Sequence, residues 1–229
     1  MESKPEIVVE QDSQMLSDFV YTAVRDAIIQ GRYGAGERLR ERDIAAELNV
    51  SRVPIRAALP RLEAAGFARI LPRRTAVVTH ITVRDVEELY DLRSVLEPLI
   101  AQTAARRVAA GISAAKLNAA WQAADEALGR SDYVALNTSN AQLHHEIAAL
   151  ANNALLDRTL EPLTERSNRL NAVTISSDPT TRHGEHTALV SAIVDGHLEL
   201  ARASAYTHVE LGRQRTLAAL PSHPHYSAL

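Results

Sequence analysis

The 229-residue chain has no cysteine, 46% hydrophobic but only 4% aromatic residues, and a formal net charge of −3. Disulfides and thiolate metal sites are thereby excluded. No stretch approaches the roughly 18 apolar residues of a membrane span, and the polar, acidic start MESKPEIVVEQDSQ does not read as a signal peptide. Abundant alanine and leucine favour helices, in a cytoplasmic protein of one large domain or two small ones.

In chain order, a first helix is predicted from Ser17 to Gln30, with Phe19, Val20, Val24, Ile28 and Ile29 near helical spacing and Gly31 as its stop. GRYGAGERL is a glycine-rich loop. A second helix over 41–48 buries Ile44, Ala45 and Leu48, and Asn49–Val50 form a tight turn. Ser51 caps a third helix that carries Pro54 in its first turn and ends at Gly66. FARIL (67–71) and TAVVTHI (75–81) read as a hairpin with Pro72, Arg73 and Arg74 at its tip. Two helices joined by a tight turn, then a basic-tipped hairpin, predict a winged helix-turn-helix over 15–81.

Beyond it the pattern is purely helical, with Thr82 as a candidate cap. Helices are predicted over 83–109, 113–129, 132–151, 154–172, 180–195 and 198–218, forming an antiparallel bundle over 82–220. The fold class is therefore mainly α, and the terminal PSHPHYSAL reads as a loose tail.

Charge is unevenly spread. Between Arg38 and Arg74 lie nine arginines against four acids, whereas eight of the nine histidines fall between His144 and His225. On the third helix Ile55, Leu59 and Leu62 share one face, while Arg52, Arg56 and Pro60 step along the other. Arginines four apart can enter a major groove together. The blander alternative is a solvated face of ion-paired arginines. Pro60 removes the bond to the Arg56 carbonyl, so the helix end is expected to curve toward the core; a tightly packed straight helix is the alternative.

The order G-x-Y-x-x-G-E-x-L-x-E (Gly31 to Glu41), then I-A-x-x-L-x-V-S-R-x-P-I-R-x-A-L-x-R-L-E-x-x-G (Ile44 to Gly66), resembles the GntR family of bacterial transcription regulators. That resemblance implies a homodimeric repressor of palindromic operator DNA, contacted by Arg42, Arg52 and Arg56, with Arg73 or Arg74 of the wing at the minor groove or its phosphates. Two positions depart from the family pattern. Thr75 stands where a wing-tip glycine is usual, and Ala57 stands where an acid usually follows the reading arginine, which predicts that its orienting pair is missing.

Asn140 and His144 are four apart and share a helix face; His186 and His208 lie on later helices that a bundle can bring opposite them. Such a set suits Zn²⁺, Ni²⁺ or a similar divalent ion. On spacing alone, scattered surface or core histidines are the readier reading. The segments Y-x-L-R-x-x-L-E (Tyr90 to Glu97), L-H-x-x-I and E-H-x-x-L-x-x-A-I (Glu185 to Ile193) resemble the FCD domain of the FadR subfamily. The resemblance implies a metal quartet of Asn140, His144, His186 and His208, an effector held at the metal, and Arg93 facing the same cavity. Asn140 is neutral where aspartate is common, so the metal would depend on an outside carboxylate, from a small acid or sugar acid. Arg93 reads equally as the partner of Glu97 at i+4. His145 is expected to face solvent, and His183 and His197 to lie in loops.

The expected function is thus a ligand-responsive repressor without enzymatic activity. The alternatives are a regulator with a purely structural metal, or a metal hydrolase, for which neither Glu146 nor Glu185 is well placed as a base.

Overall fold

The computed structural model describes residues 6–72, 75–174 and 178–228. The chain forms two compact units: one from the chain up to Thr82 together with the segment from His223, the other Val83–Ser222.

The first unit contains α1 (Glu6–Ile29), β1 (Arg38–Leu39), α2 (Glu41–Leu48), α3 (Arg52–Ala64), β2 (Ala68–Leu71) and β3 (Thr75–Val78). Val20, Val24 and Ile28 repeat every four residues along α1 and so bury one stripe, against Ile44 of α2, Ile55 and Leu62 of α3, and Phe67. Asn49 closes the α2–α3 turn in the left-handed region (φ 53°), and its N–H reaches the Ala45 carbonyl. Asparagine adopts this conformation more readily than most side-chain-bearing residues. Gly66, at φ 77°, ends α3 in the same region, where a Cβ would add strain.

α3 runs unbroken through Pro60, whose ring is exposed while Leu59 and Leu62 are buried. Packing of that apolar stripe holds the helix across the missing hydrogen bond. β2 and β3 pair antiparallel with Ala68 opposite Val78 and Leu71 opposite Thr75. Three features depart from the sequence expectation. α1 starts eleven residues earlier than predicted, at Glu6 rather than Ser17, because no glycine or proline interrupts the run. The glycine-rich loop contributes β1, paired to β3 on the far side from β2. The tail is not loose: Ile81 N–H donates to the His225 carbonyl at 2.8 Å, and Ser227 N–H to the Ile81 carbonyl at 2.9 Å.

The second unit contains α4 (Val83–Ala109), α5 (Ala115–Gly129), α6 (Tyr133–Ala151), α7 (Ala154–Thr174), α8 (Pro179–Val194) and α9 (Leu198–Ala219), followed by a short 3-10 turn at Leu220–Ser222. Asp132 and Asp178 cap α6 and α8 by accepting from Ala135 N–H and Thr181 N–H, as the polar breaks GRSD and SSDP require. The core is alanine-rich: Ala101, Ala104 and Ala105 of α4 meet Ala201 and Ala205 of α9, with Leu117, Leu143 and Ile193 filling the remaining space. Small residues at this contact let α4 and α9 approach closely along their length.

Phe67 is fully buried where α3 gives way to β2, so Phe67→Ala is expected to destabilise the first unit by about 3–5 kcal/mol. Urea unfolding would measure this, and a loss below about 1 kcal/mol would contradict the core assignment.

Candidate functional site

His144 lies on α6, His186 on α8 and His208 on α9, and one ring nitrogen from each lies within 4.8 Å of the other two. His144 Nε2 and His186 Nε2 are 3.2 Å apart. The His208 ring centroid is 4.6 Å from that of His186 and 5.4 Å from that of His144. Asn140, one turn before His144, is buried; its Oδ1 and His186 Nδ1 have no hydrogen-bond partner among the described residues.

Burial of its ring, reinforced by His208, pushes the His144 pKa down to about 3. His186 is held well below its ordinary value by burial and by the same neighbours. Both imidazoles are therefore neutral near pH 7, the state a metal ligand must have. Two neutral rings set nitrogen to nitrogen are held together either by a proton on one of them or by a cation common to both.

The carboxylates behind the triad complete it. His208 Nδ1 lies 3.0 Å from Glu185 Oε2, and Arg215 places Nη1 and Nη2 at 2.6 and 2.7 Å from the two Glu185 oxygens. Burial raises the Glu185 pKa, but the hydrogen bonds from His208 and Arg215 outweigh it and bring it to about 2. An ionised carboxylate at Nδ1 selects the tautomer whose Nε2 lone pair is free, an arrangement typical of metal-ligating histidine. On α4, Arg93 Nε donates to Glu97 Oε1 at 2.5 Å. Burial pushes Glu97 up, but the charge and hydrogen bond of Arg93 hold it below the usual carboxylate range.

Next to the triad is a cavity lined by Tyr90, Arg93, Arg182, His208, Gly212, Arg215 and Thr216. Arg182 also lines a second one, with Tyr133, Leu136, Asn137, Asn140 and Pro179. Arg93 and Arg215 are each matched by a carboxylate. The Arg182 guanidinium has no hydrogen bond or ion pair among the described residues, and burial together with Arg215 depresses its pKa. Its charge is the one a bound anion would neutralise.

Arg93 forms the i+4 pair with Glu97, and the same residue lines the cavity. His145 is exposed, as expected. The loop expectation fails for His183, which is on α8 and buried, with Nε2 3.1 Å from Asp125 Oδ1 and its ring 6.1 Å from Trp121. Position 183 already falls inside the helix expected over 180–195, and α8 keeps it there. His197 is the N-cap residue of α9.

In the first unit Arg42, Arg52 and Arg56 are all exposed on α2 and α3. Arg42 is paired loosely with Asp43, at 3.4 Å. Arg56 has a carboxylate partner after all: its Nε lies 2.9 and 3.1 Å from the Glu41 oxygens. The acid missing at position 57 is replaced in space by one from α2. Arg73 and Arg74 lie outside the described residues.

Sequence reasoning missed Arg182, Arg215 and the supporting role of Glu185. Helical spacing carried the signal, since Arg182 is one turn before His186, and Gly212, Arg215 and Thr216 continue the His208 face of α9. Likewise Tyr90, Arg93 and Glu97 share one face of α4. Tyr90 and Thr216 hydroxyls meet at 2.8 Å and join the two faces.

Residues 88–211 match the FCD domain family, and residues 16–78 match the family described as bacterial regulatory proteins, gntR family. An HTH-type transcriptional regulator from the TAR-I ttuE-ttuC' intergenic region of Agrobacterium vitis is 31% identical over 134 residues, covering 57% of this chain and 78% of that protein. The probable D-xylose utilization operon transcriptional repressor of Paenarthrobacter nicotinovorans is 28% identical over 195 residues, covering 83% of this chain and 85% of that one. Among solved structures, a GntR transcriptional regulator from Rhodococcus sp. RHA1 has a TM-score of 0.70 at 25% identity, covering 89% of this chain and 98% of that one.

Glu185 serves both His208 and Arg215, so Glu185→Ala is expected to destabilise the metal-free second unit by about 1.5–3 kcal/mol, the range for hydrogen bonds to a charged group. Urea unfolding in the presence of chelator would measure this, and an unchanged midpoint would contradict the supporting role.

Proposed function

The chain belongs to the GntR family of bacterial regulatory proteins and carries an FCD domain, which makes it a DNA-binding transcriptional regulator and not an enzyme; within that family we propose that it is a homodimeric, ligand-responsive repressor of the FadR type. Its effector would be a small carboxylate or sugar acid held in the FCD domain at a divalent metal. The observation that carries this reading is the convergence of His144, His186 and His208 beside a cavity containing the unmatched Arg182.

The donor set fits a metal. Three imidazoles converge, His144 and His186 are held neutral, and the Asn140 carbonyl oxygen is buried without a partner. His144, His186 and His208 would hold the ion, with Asn140 Oδ1 as a fourth donor. Zn²⁺ or Ni²⁺ suits such a nitrogen-rich set and would supply a Lewis-acidic anchor for a carboxylate oxygen. None of these four donors carries a negative charge, so an anionic effector would supply what the site lacks. Arg182 would pair with its carboxylate, and Glu185 keeps the His208 ring oriented from behind.

DNA reading would fall to Arg42, Arg52 and Arg56 at the exposed side of α2 and α3, with Arg73 or Arg74 reaching the backbone or minor groove. Two-fold operators require two such helices about one turn of DNA apart, which accounts for the dimer. An effector that binds one conformation of the dimer better than the other shifts operator affinity by that difference alone. The D-xylose operon named for one relative supports a sugar-derived effector.

Arg56→Ala is expected to weaken binding to a selected operator duplex by about 1–3 kcal/mol at fixed salt, measured by fluorescence anisotropy. Unchanged affinity would remove α3 as the reading helix. In a thermal-shift screen of small carboxylates and sugar acids, at least one acid should raise the melting temperature of the metal-loaded protein. Chelator should abolish that rise, and Arg182→Gln should reduce it by about 1.5–3 kcal/mol of binding while leaving the metal in place. No response to any acid, with metal bound, would favour a purely structural ion.

A further inference from the structure

We propose that Glu41 is a positioning residue for DNA recognition, holding Arg56 so that its outer guanidinium nitrogens are presented to a guanine edge. This rests on the reading above that Arg56 contacts DNA, and goes beyond it by assigning specificity to a residue of the preceding helix.

The geometry separates two kinds of arginine on α3. Arg61 uses a terminal nitrogen, Nη1, on Asp18 at 2.6 Å, and its guanidinium lies 4.6 Å from the Tyr21 ring centroid. Its reading end is occupied by the protein's own fold. Arg56 is tied instead through Nε alone, at 2.9 and 3.1 Å from the two Glu41 oxygens. Among the described residues nothing hydrogen-bonds its Nη1 or Nη2. Those are the nitrogens that form a bidentate pair with guanine O6 and N7.

Glu41 is well placed to serve as the fixed end of this pair. It is the first residue of α2, where the helix dipole favours an acid, and its side chain is 18% exposed against 53% for Arg56. Anchoring the inner nitrogen removes rotamers that Arg56 would otherwise lose on binding DNA. The carboxylate also disfavours the approach of a phosphate to the same guanidinium, so the pair selects a base edge over the backbone. Arg52 has no carboxylate partner among the described residues, and Arg42 has only the loose contact with Asp43, so neither is restrained in this way. Ion pairs with an exposed partner add little to folding stability, which leaves positioning as the consequence of this one.

The test uses full-length protein and a duplex selected by the wild-type chain from a randomised pool, together with versions of that duplex substituted at each guanine. Arg56→Ala should abolish discrimination at one guanine. Glu41→Gln should reduce discrimination at that same guanine by about fivefold or more, the low end for one bidentate contact, with the melting temperature unchanged and binding to unselected DNA not weakened. Glu41→Asp should restore part of it. In the Arg56→Ala background, Glu41→Gln should have no further effect. Full discrimination by Glu41→Gln, while Arg56→Ala loses it, would overturn the positioning role and leave Arg56 as a reader. No loss in Arg56→Ala itself would overturn both.

Discussion

Three histidines withdrawn into a helical bundle are the constraint on which the second unit depends. A buried imidazole has one nitrogen to donate and one lone pair to satisfy, and each ring that lacks a partner for either destabilises the fold. Here burial holds His144 and His186 neutral, and two of their lone-pair-bearing nitrogens are brought within 3.2 Å of each other. Glu185 orders the third ring from behind, and Arg215 orders Glu185. The result is a cluster in which Glu185 holds the outer nitrogen of His208 while one ring nitrogen from each histidine converges on the others. Such an arrangement is what the proposed cation would use, and its three rings come from α6, α8 and α9.

The cavity beside the cluster extends this logic from structure to regulation. Its arginines are not equivalent: Glu97 and Glu185 neutralise Arg93 and Arg215, while the Arg182 guanidinium has no carboxylate partner among the described residues. An anionic effector would therefore meet both a positive metal and one unmatched guanidinium. Tyr90 and Thr216 join α4 to α9 beside this cavity, so the proposed effector would touch the two helices that pack most extensively in the bundle. In the first unit the same device appears in another form. Carboxylates on neighbouring elements decide which arginines are structural and which remain available.

Much of this was legible in the sequence, for physical reasons that differ by element. The six bundle helices stood out because GIS, GRSD, NN, SSDP and DGH punctuate long alanine- and leucine-rich runs. Asn140 and His144 were placed on one face by spacing alone, whereas His186 and His208 were linked to them only by family resemblance. Contacts between helices far apart in sequence were not legible. Glu41 and Arg56 are fifteen residues apart, and Glu185 and Arg215 thirty, so no local period joins them. β1 was missed because two residues carry no alternation of their own and pair only once β3 exists. The tail was missed because proline- and histidine-rich segments read as coil, while its order comes from backbone bonds to Ile81.

Anomalous diffraction from crystals of the zinc- or nickel-loaded protein tests the central claim most directly. A single peak per chain among the ring nitrogens of His144, His186 and His208, bordered by Asn140, is the predicted result. A metal-loaded crystal with no peak between those rings, or with its peak elsewhere in the chain, would contradict the account.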